Sequence, residues 1–156
     1  MKITLLVVGK TTDTHIETLV QEYLKRLTHY IPFTLQIIPE LRNTKALTPE
    51  QQKQAEGDLI LRTITPATDL ILLDEHGKEY RSIEYADYLQ KKMSAGRDVV
   101  FVVGGPYGFS DAVYQRSNGK ISLSKMTFSH QMVRAIFVEQ LYRAFTIMKG
   151  EPYHHE

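Results

Sequence analysis

Two carboxylates and a histidine stand side by side in the segment "DEHGKEY". Asp74, Glu75 and His76 are residue types that serve in general acid–base catalysis or hold a metal ion. Adjacent residues in a turn point in different directions, however, and no second ligand pair lies at a metal-binding spacing. His154 and His155 near the end of the chain meet the same objection. We therefore expect a solvated turn at this segment and no metal site in the protein.

A glycine-rich segment, "GGPYGFS" from Gly104 to Ser110, is a candidate for a phosphate cradle. It lacks the Gly-x-Gly-x-x-Gly order of dinucleotide-binding loops and the Gly-Lys-Ser/Thr ending of P-loops. Pro106 also removes an N–H group where an anion would need one. Gly104 and Gly105 instead allow a flat ligand to approach bare backbone. A tight strand-to-helix turn without any ligand is the alternative for this segment.

Polar residues are also scattered through Ser124 to Phe145, which has the composition of one long apolar helix. At about 100° per residue, its polar positions do not gather on one side. Glu139 and Arg143 have the spacing and order of an intrahelical ion pair. Gln131 and Arg134 lie on another side and need other partners. Because the apolar surface is too extensive for one sheet face to cover, we predict that a second copy packs here. The polar groups would then pair at the homodimer interface or border the active site.

The composition limits the classes of protein that fit this chain. Its 156 residues favour a single domain, 1–156, and 42% hydrophobic with 24% charged residues is typical of a folded globular protein. The absence of cysteine excludes disulfides, thiolate metal sites and a cysteine nucleophile, which favours the cytoplasm. No apolar run is long enough for a signal-peptide core or a membrane span, so we expect no membrane association.

The formal net charge is only +1, so any RNA binding must be local. Basic residues concentrate in the last quarter of the chain, where they are either an RNA contact or ordinary solvated charges. These residues are Lys120, Lys125, Arg134, Arg143 and Lys149.

Apolar, β-branched runs alternate with helical segments along the whole chain. Several runs are continuously apolar, as in strands covered on both faces of a parallel sheet. The strand candidates are Ile3 to Val8, Phe33 to Ile38, Asp69 to Asp74, Val99 to Val103 and Ile121 to Ser124. The helix candidates run from Thr14 to His29, from a cap at Thr48 with Pro49 next, from Ser82 to Ala95, after Ser110, and from Ser124 to a stop at Gly150 and Pro152. This order predicts an α/β fold: an open parallel-type sheet with helices on both faces.

Ligands of open α/β sheets bind at the carboxyl ends of the strands. Three segments are expected there: "DEHGKEY" after the third strand, "GGPYGFS" after the fourth and "SKMTFSH" after the fifth. The longest connection, Pro39 to Glu50, is a surface loop or a mobile lid.

The motifs of these segments resemble a known family. "GGPYG", the long C-terminal run "LSKMTFSHQMVRAIFVEQLYRAFTIMKGEPYH", "MKITLLVVGK" at the start and "LLDEHGK" between them are similar to the RlmH family. These are small SPOUT-class methyltransferases that modify the large-subunit ribosomal RNA. The resemblance spans essentially the whole chain, and its C-terminal motif is long and specific.

The resemblance implies a reaction, a fold and a cofactor pocket. Proteins of this family use S-adenosylmethionine to methylate N3 of a pseudouridine in 23S ribosomal RNA, acting on assembled ribosomes. They are homodimers, and their C-terminal segment is threaded into a trefoil knot, the α/β-knot of SPOUT proteins. The cofactor-binding residues implied in this chain are Leu73, Gly104, Gly105, Leu123, Ser124, Lys125, Met126, Thr127 and Phe128.

The chemistry of S-adenosylmethionine agrees with these segments. This cofactor has no phosphate and carries a sulfonium cation, so it needs a shaped pocket in place of an anion cradle. Backbone groups of the loops can bond the adenine edge, while Leu73, Leu123, Met126 and Phe128 bury its faces.

A pseudouridine N3 still carries a proton, which must leave before or during methyl transfer. We predict Tyr153, His154 and Arg134 as the catalytic residues. The short tail that follows the last helix could reach across a dimer to the partner's pocket. The alternative is that the chain end is simply frayed. His130 is a further candidate, or else a cap of the last helix.

Two other classes of function remain open at this point. A non-catalytic RNA-binding or ribosome-assembly protein could use the same α/β scaffold, and titration with S-adenosylmethionine would separate the two. A flavodoxin-like or nucleotide-binding module is disfavoured because the phosphate-binding loops are missing.

Overall fold

Five apolar segments of the chain form one parallel β-sheet in the computed structural model, which describes residues 1–156. The strands are β1 (Ile3–Val8), β2 (Phe33–Ile38), β3 (Asp69–Glu79), β4 (Val99–Val103) and β5 (Gly119–Ser122). Their order in the sheet is β2-β1-β4-β3-β5, and every neighbouring pair is parallel. The predicted parallel α/β sheet is confirmed. β1, β4 and the first four residues of β3 are almost entirely buried because the sheet is covered on both faces.

Five α-helices connect the strands. They are α1 (Thr14–Leu27), α2 (Pro49–Arg62), α3 (Ser82–Ala95), α4 (Asp111–Arg116) and α5 (Met132–Met148). The α2 start follows the sequence closely: Thr48 accepts from Gln51 N, and the Gln51 side chain accepts from Thr48 N, with Pro49 at the first helical position. At the end of α5, Gly150 has φ 68° and donates to Ile147 O, as predicted for its C′ position.

The two faces of the sheet carry cores of different size. The larger core contains residues of α1, α3 and α5, and Phe101 of β4 meets Phe137 of α5 there with ring centroids 5.0 Å apart. The smaller core lies under α2 and α4, where Ile60, Phe109 and Val113 pack on the sheet. Helices therefore cover both faces, as the sequence predicted.

The last helix is shorter than predicted. The interpretation of Ser124 to Phe145 as one helix is wrong up to Gln131, because α5 begins only at Met132. Small hydroxyl side chains hold the preceding segment in turns: Met126 N donates to Ser124 Oγ at 2.9 Å and Met132 N to Ser129 Oγ at 3.1 Å. Such local side-chain bonds compete with helix formation. The segment is a loop, and it lies where the predicted cofactor site requires one.

The third strand is longer than predicted. It does not end at Asp74 but continues to Glu79 with a shift of register, since Leu73 and Lys78 both pair with Ile121 of β5. The intervening residues form a bulge in the strand. A Cβ atom on Gly77 would lie 2.7 Å from the backbone of Ile121, so only glycine fits this crossing.

The C-terminal part of the chain returns across the sheet. β5 is an edge strand beside β3, whereas α5 packs against both α1 and α3 on one face. This path is consistent with the knot expected from the resemblance. No helix of the protein is long and apolar enough to span a membrane.

Candidate active site

A cavity of about 590 Å³ opens at the carboxyl ends of β3, β4 and β5. The three segments that the sequence placed at this edge form its walls, and eight of the nine predicted cofactor residues line it. These are Leu73, Gly104, Gly105, Leu123, Ser124, Met126, Thr127 and Phe128. The ninth, Lys125, does not line the cavity; it is exposed, and its Nζ lies 3.8 Å from Glu79 Oε1.

Bare backbone forms one wall of this cavity. A Cβ atom on Gly104 would lie 3.1 Å from the Phe109 ring, and one on Gly105 would lie 2.7 Å from Oε2 of Glu56. Gly108, at φ 82°, closes the turn by donating to Gly105 O at 3.1 Å. A side chain at Gly104 or Gly105 would require Phe109 or Glu56 behind the loop to move, and glycine at both positions leaves the backbone open to a ligand.

The facing wall is the loop between β5 and α5. Ser122 Oγ donates to Ser124 O at 2.9 Å, and Met126 N donates to Ser124 Oγ. Ser124 therefore shapes the loop through both its backbone and its side chain. Met126 is 78% exposed and Tyr107, on the glycine loop, is 49% exposed. Two large apolar side chains thus stand at the mouth of the cavity without cover from their own chain.

The acidic residues of the β3 bulge line the same cavity without forming a metal site. Tyr114 donates to Asp74 Oδ2, and His76 N donates to Asp74 Oδ1 at 2.9 Å. Burial raises the pKa of Tyr114, and its hydrogen bond to Asp74 adds to the rise. No cluster of three His, Asp or Glu side chains could hold a metal ion.

Arg134 is buried inside its own chain and does not line the cavity. It is 1% exposed and donates to Val8 O, Gly9 O and His130 O at 2.9–3.0 Å, and to Thr11 Oγ1 at 3.0 Å. Burial lowers its pKa, opposed by nearby carboxylates. These contacts give the guanidinium a structural role and leave it no open face toward a substrate.

Gln131 acts beside Arg134 on the same loop. Its side chain accepts from Thr12 N at 2.7 Å and donates to Lys10 O at 3.2 Å. The polar groups at the start of α5 are therefore paired within the chain, and no residue of α5 except Met132 is exposed. These polar groups therefore do not need a second chain as partner, and the homodimer stays a prediction.

The tail residues Tyr153 and His154 belong to a network on the outer side of α5. Glu139 Oε1 accepts from Nε and Nη2 of Arg143 at 3.1 and 2.6 Å and from the Tyr153 hydroxyl at 3.3 Å. Nη1 of Arg143 lies 3.1 Å from Nδ1 of His154, and the Tyr23 and Tyr153 hydroxyls are 3.1 Å apart. The intrahelical pair of Glu139 and Arg143 predicted from the sequence is confirmed.

This network is ordered, yet it is not part of the cavity of its own chain. Neither Tyr153 nor His154 lines that cavity. Burial and the bond to Tyr23 raise the pKa of Tyr153. Nε2 of His154 is buried and has no hydrogen-bond partner, its nearest carboxylate oxygen being 3.7 Å away on Glu156.

Sequence reasoning missed one residue at this site, Glu56 of α2. Its carboxylate lies directly behind Gly105 and is 5% exposed, with Oε1 unpartnered. A signal existed: Gly57, next in the sequence, is unfavourable inside a helix and marks close packing. A Cβ atom there would overlap Ser110 Oγ, so α2 meets the first residues of α4 at this point.

Comparison with known proteins identifies the family. The sequence model described as "Predicted SPOUT methyltransferase" matches residues 1–154. The chain belongs to this SPOUT methyltransferase family. It is 58% identical over 157 aligned residues to the ribosomal RNA large subunit methyltransferase H of Bacteroides thetaiotaomicron, covering 100% of both chains. The proteins of the same name from Flavobacterium psychrophilum and Bacteroides fragilis are 58% and 56% identical, again with 100% of both chains covered. The resemblance inferred from the sequence motifs is confirmed.

Proposed function

We propose that this protein uses S-adenosylmethionine to methylate N3 of a pseudouridine in 23S ribosomal RNA, and that it acts on assembled ribosomes in the cytoplasm. The observation that carries the proposal is the bare backbone at Gly104 and Gly105, which faces apolar side chains across one cavity. The names of the relatives support the RNA substrate.

The residues of the cavity fit S-adenosylmethionine. The cavity volume lies within the range of small-molecule sites, roughly 300–1,000 Å³. Leu73 and Leu123 supply apolar walls, and the backbone of the loops around the cavity offers N–H and C=O groups to the cofactor. None of the three loops contains a phosphate-binding sequence, and this cofactor has no phosphate.

The main role of the protein in this reaction is to align the pseudouridine nitrogen with the methyl group of the cofactor. S-adenosylmethionine supplies an electrophilic methyl group, which the pseudouridine nitrogen attacks in a displacement. The glycine loop and the 123–131 loop fix the direction of that methyl group, and fixed geometry is a large part of the rate enhancement of such reactions. Arg134 and Gln131 contribute indirectly, because they fasten the start of α5 to the loop after β1.

We propose that the C-terminal tail assists the loss of the proton on N3. In our proposal, Tyr153 and His154 face the RNA base. Because Nη1 of Arg143 can only donate, His154 Nδ1 accepts that hydrogen bond and Nε2 carries the ring hydrogen. This N–H has no partner within the chain, so it donates to an oxygen of the base and stabilises the deprotonated base, while the N3 proton passes to water. Arg134 is not carried forward as a catalytic residue.

The tail must then act on the cavity of a second chain. Tyr153 and His154 are held against Glu139 and Arg143, outside their own cavity. We therefore propose a homodimer in which each tail completes the site of its partner. The exposed side chains Tyr107 and Met126 at the mouth of the cavity are suited to burial by that partner.

Two measurements test the proposal. Mass spectrometry of 23S ribosomal RNA is expected to find one N3-methylated pseudouridine in cells that contain the protein and none in cells that lack its gene. Calorimetry of the purified protein is expected to detect binding of S-adenosylmethionine. Unchanged RNA together with no cofactor binding would instead favour a non-catalytic RNA-binding protein.

A further inference from the structure

The carboxylate of Glu56 is a buried ionisable group beside the cavity that the proposed reaction leaves without a role. It is 5% exposed, and Oε1 has no hydrogen-bond partner. An unpaired carboxylate in such a place costs free energy, and a methionine or leucine would fill the same space without that cost. A group of this kind is a candidate for function.

The Glu56 carboxylate lies immediately behind the glycine loop that lines the cavity. Both carboxylate oxygens approach the Cα side of Gly105, so closely that a Cβ atom there would lie 2.7 Å from Oε2. Gly105 lines the cavity. Only the backbone of Gly105 therefore lies between this carboxylate and the ligand space.

The other anions around the cavity are placed differently. Glu75 and Asp111 are exposed to water, which weakens their field inside the cavity. Asp74 accepts hydrogen bonds from Tyr114 and from His76 N, so part of its charge is already neutralised. Glu56 is the carboxylate behind this wall that is buried and has one oxygen, Oε1, without a hydrogen-bond partner.

We propose that Glu56 is an electrostatic selectivity residue, which strengthens binding of the positively charged methyl donor over its neutral-sulfur product. This inference rests on the proposed function. S-adenosylmethionine carries a sulfonium cation, whereas S-adenosylhomocysteine has an uncharged thioether and is otherwise almost the same molecule. A buried carboxylate next to the wall attracts the first and has little effect on the sulfur of the second. It therefore favours exchange of product for donor after each methyl transfer.

The experiment compares two ligands on three proteins by calorimetry at pH 8, which favours the ionised carboxylate. Glu56→Gln keeps the shape of the side chain and removes its charge. We expect the affinity for S-adenosylmethionine to fall on the order of tenfold and that for S-adenosylhomocysteine to stay within about twofold, the difference being about 1.4 kcal/mol. Asp58→Asn is the matched control: it makes the same charge change on the same helix, at an exposed position. Neither affinity should change in it.

The outcomes separate this inference from the proposed function. If the wild-type protein binds neither ligand, the proposed function fails. If the wild-type protein binds both, and Glu56→Gln changes both affinities equally or neither, the selectivity role is wrong. Thermal unfolding checks that the variant is folded, and Glu56→Met, which is uncharged and apolar, provides a second test at the same position.

Discussion

Arg134 donates a hydrogen bond from Nη1 to the main-chain oxygen of Gly9 at 2.9 Å, which joins the first turn of α5 to the end of β1. The same guanidinium also bonds Val8 O and Thr11 Oγ1. Because Val133, the preceding residue, lines the candidate cavity, this link fixes one wall of the site to β1. A buried arginine that looks catalytic in the sequence is thus part of the frame that holds the site.

Replacing Arg134 tests this structural role. Arg134→Met leaves buried carbonyl oxygens without donors, and we expect the free energy of unfolding in urea to fall by about 3 kcal/mol. Arg42→Met, at an exposed position with no ion pair, is the control and should change stability by less than about 0.5 kcal/mol. If Arg134→Met abolished methylation while unfolding as the wild type does, Arg134 would be catalytic after all.

The sheet and the capped helices were predictable because local rules decide them. The continuous apolar run of β4 and the Thr48 cap with Pro49 each carry their own signal. The start of α5 was not predictable by periodicity, since Ser124 and Ser129 redirect the backbone through side-chain hydrogen bonds in an otherwise apolar segment.

Part of the candidate site was likewise predictable from the sequence, and part was not. The glycine loop was recognisable from its residue types, and eight of the nine cofactor positions implied by the resemblance meet at one cavity. Glu56 was not, because its role depends on a contact between residues 49 positions apart that only the packing of α2 on the glycine loop creates. The partners of Arg134 and Gln131 were hidden for the same reason: they lie on the loop after β1.

The glycine loop provides the second prediction. In Gly105→Ala the added methyl group overlaps the buried Glu56 carboxylate, so that side chain or the loop must move, and a shift of the loop narrows the cavity. We expect the affinity for S-adenosylmethionine, measured by calorimetry, to fall at least on the order of tenfold. Gly119→Ala is the control, because its Cβ would meet only Ile71 Cδ1 at an ordinary 3.4 Å. An unchanged affinity in Gly105→Ala would mean that the cofactor binds elsewhere.

Mixed dimers provide the third prediction. One chain carries Gly105→Val, which blocks its cavity, and the other carries His154→Ala, which disables its tail. Each variant alone should be inactive in RNA methylation. If the tail serves the partner's cavity, random pairing of the two makes half of all dimers mixed, each with one complete site, and recovers about a quarter of the wild-type activity.

The same mixing experiment can also refute the partner-tail proposal. A tail that served its own chain would leave every site with either a blocked cavity or a missing histidine, so no activity would return. Two wild-type preparations that carry different affinity tags are the control for assembly, and their co-purification after mixing should show that the chains exchange freely.

The pH dependence of stability provides the fourth prediction. Burial raises the pKa of Glu56, the nearby Glu40 carboxylate adds to the rise, and Gln52 partly opposes it. Because the folded pKa is the higher one, the stabilising effect of the bound proton is complete below the unfolded pKa of about 4.3 and is lost as the pH rises through the folded pKa. The amide of Glu56→Gln has no proton to lose. We therefore expect this variant to exceed the wild type in unfolding free energy by on the order of 1 kcal/mol at pH 7.

The difference between the two proteins should shrink toward zero as the pH falls to about 4, where both side chains are neutral. Urea unfolding at several pH values measures it, and Asp58→Asn, exposed on the same helix, should follow the wild-type curve throughout. A Glu56→Gln protein that is less stable than the wild type at pH 7 would mean that the ionised carboxylate has a stabilising partner. In that case Glu56 would hold the glycine loop in place through that partner, and its charge would not be free to act on the ligand.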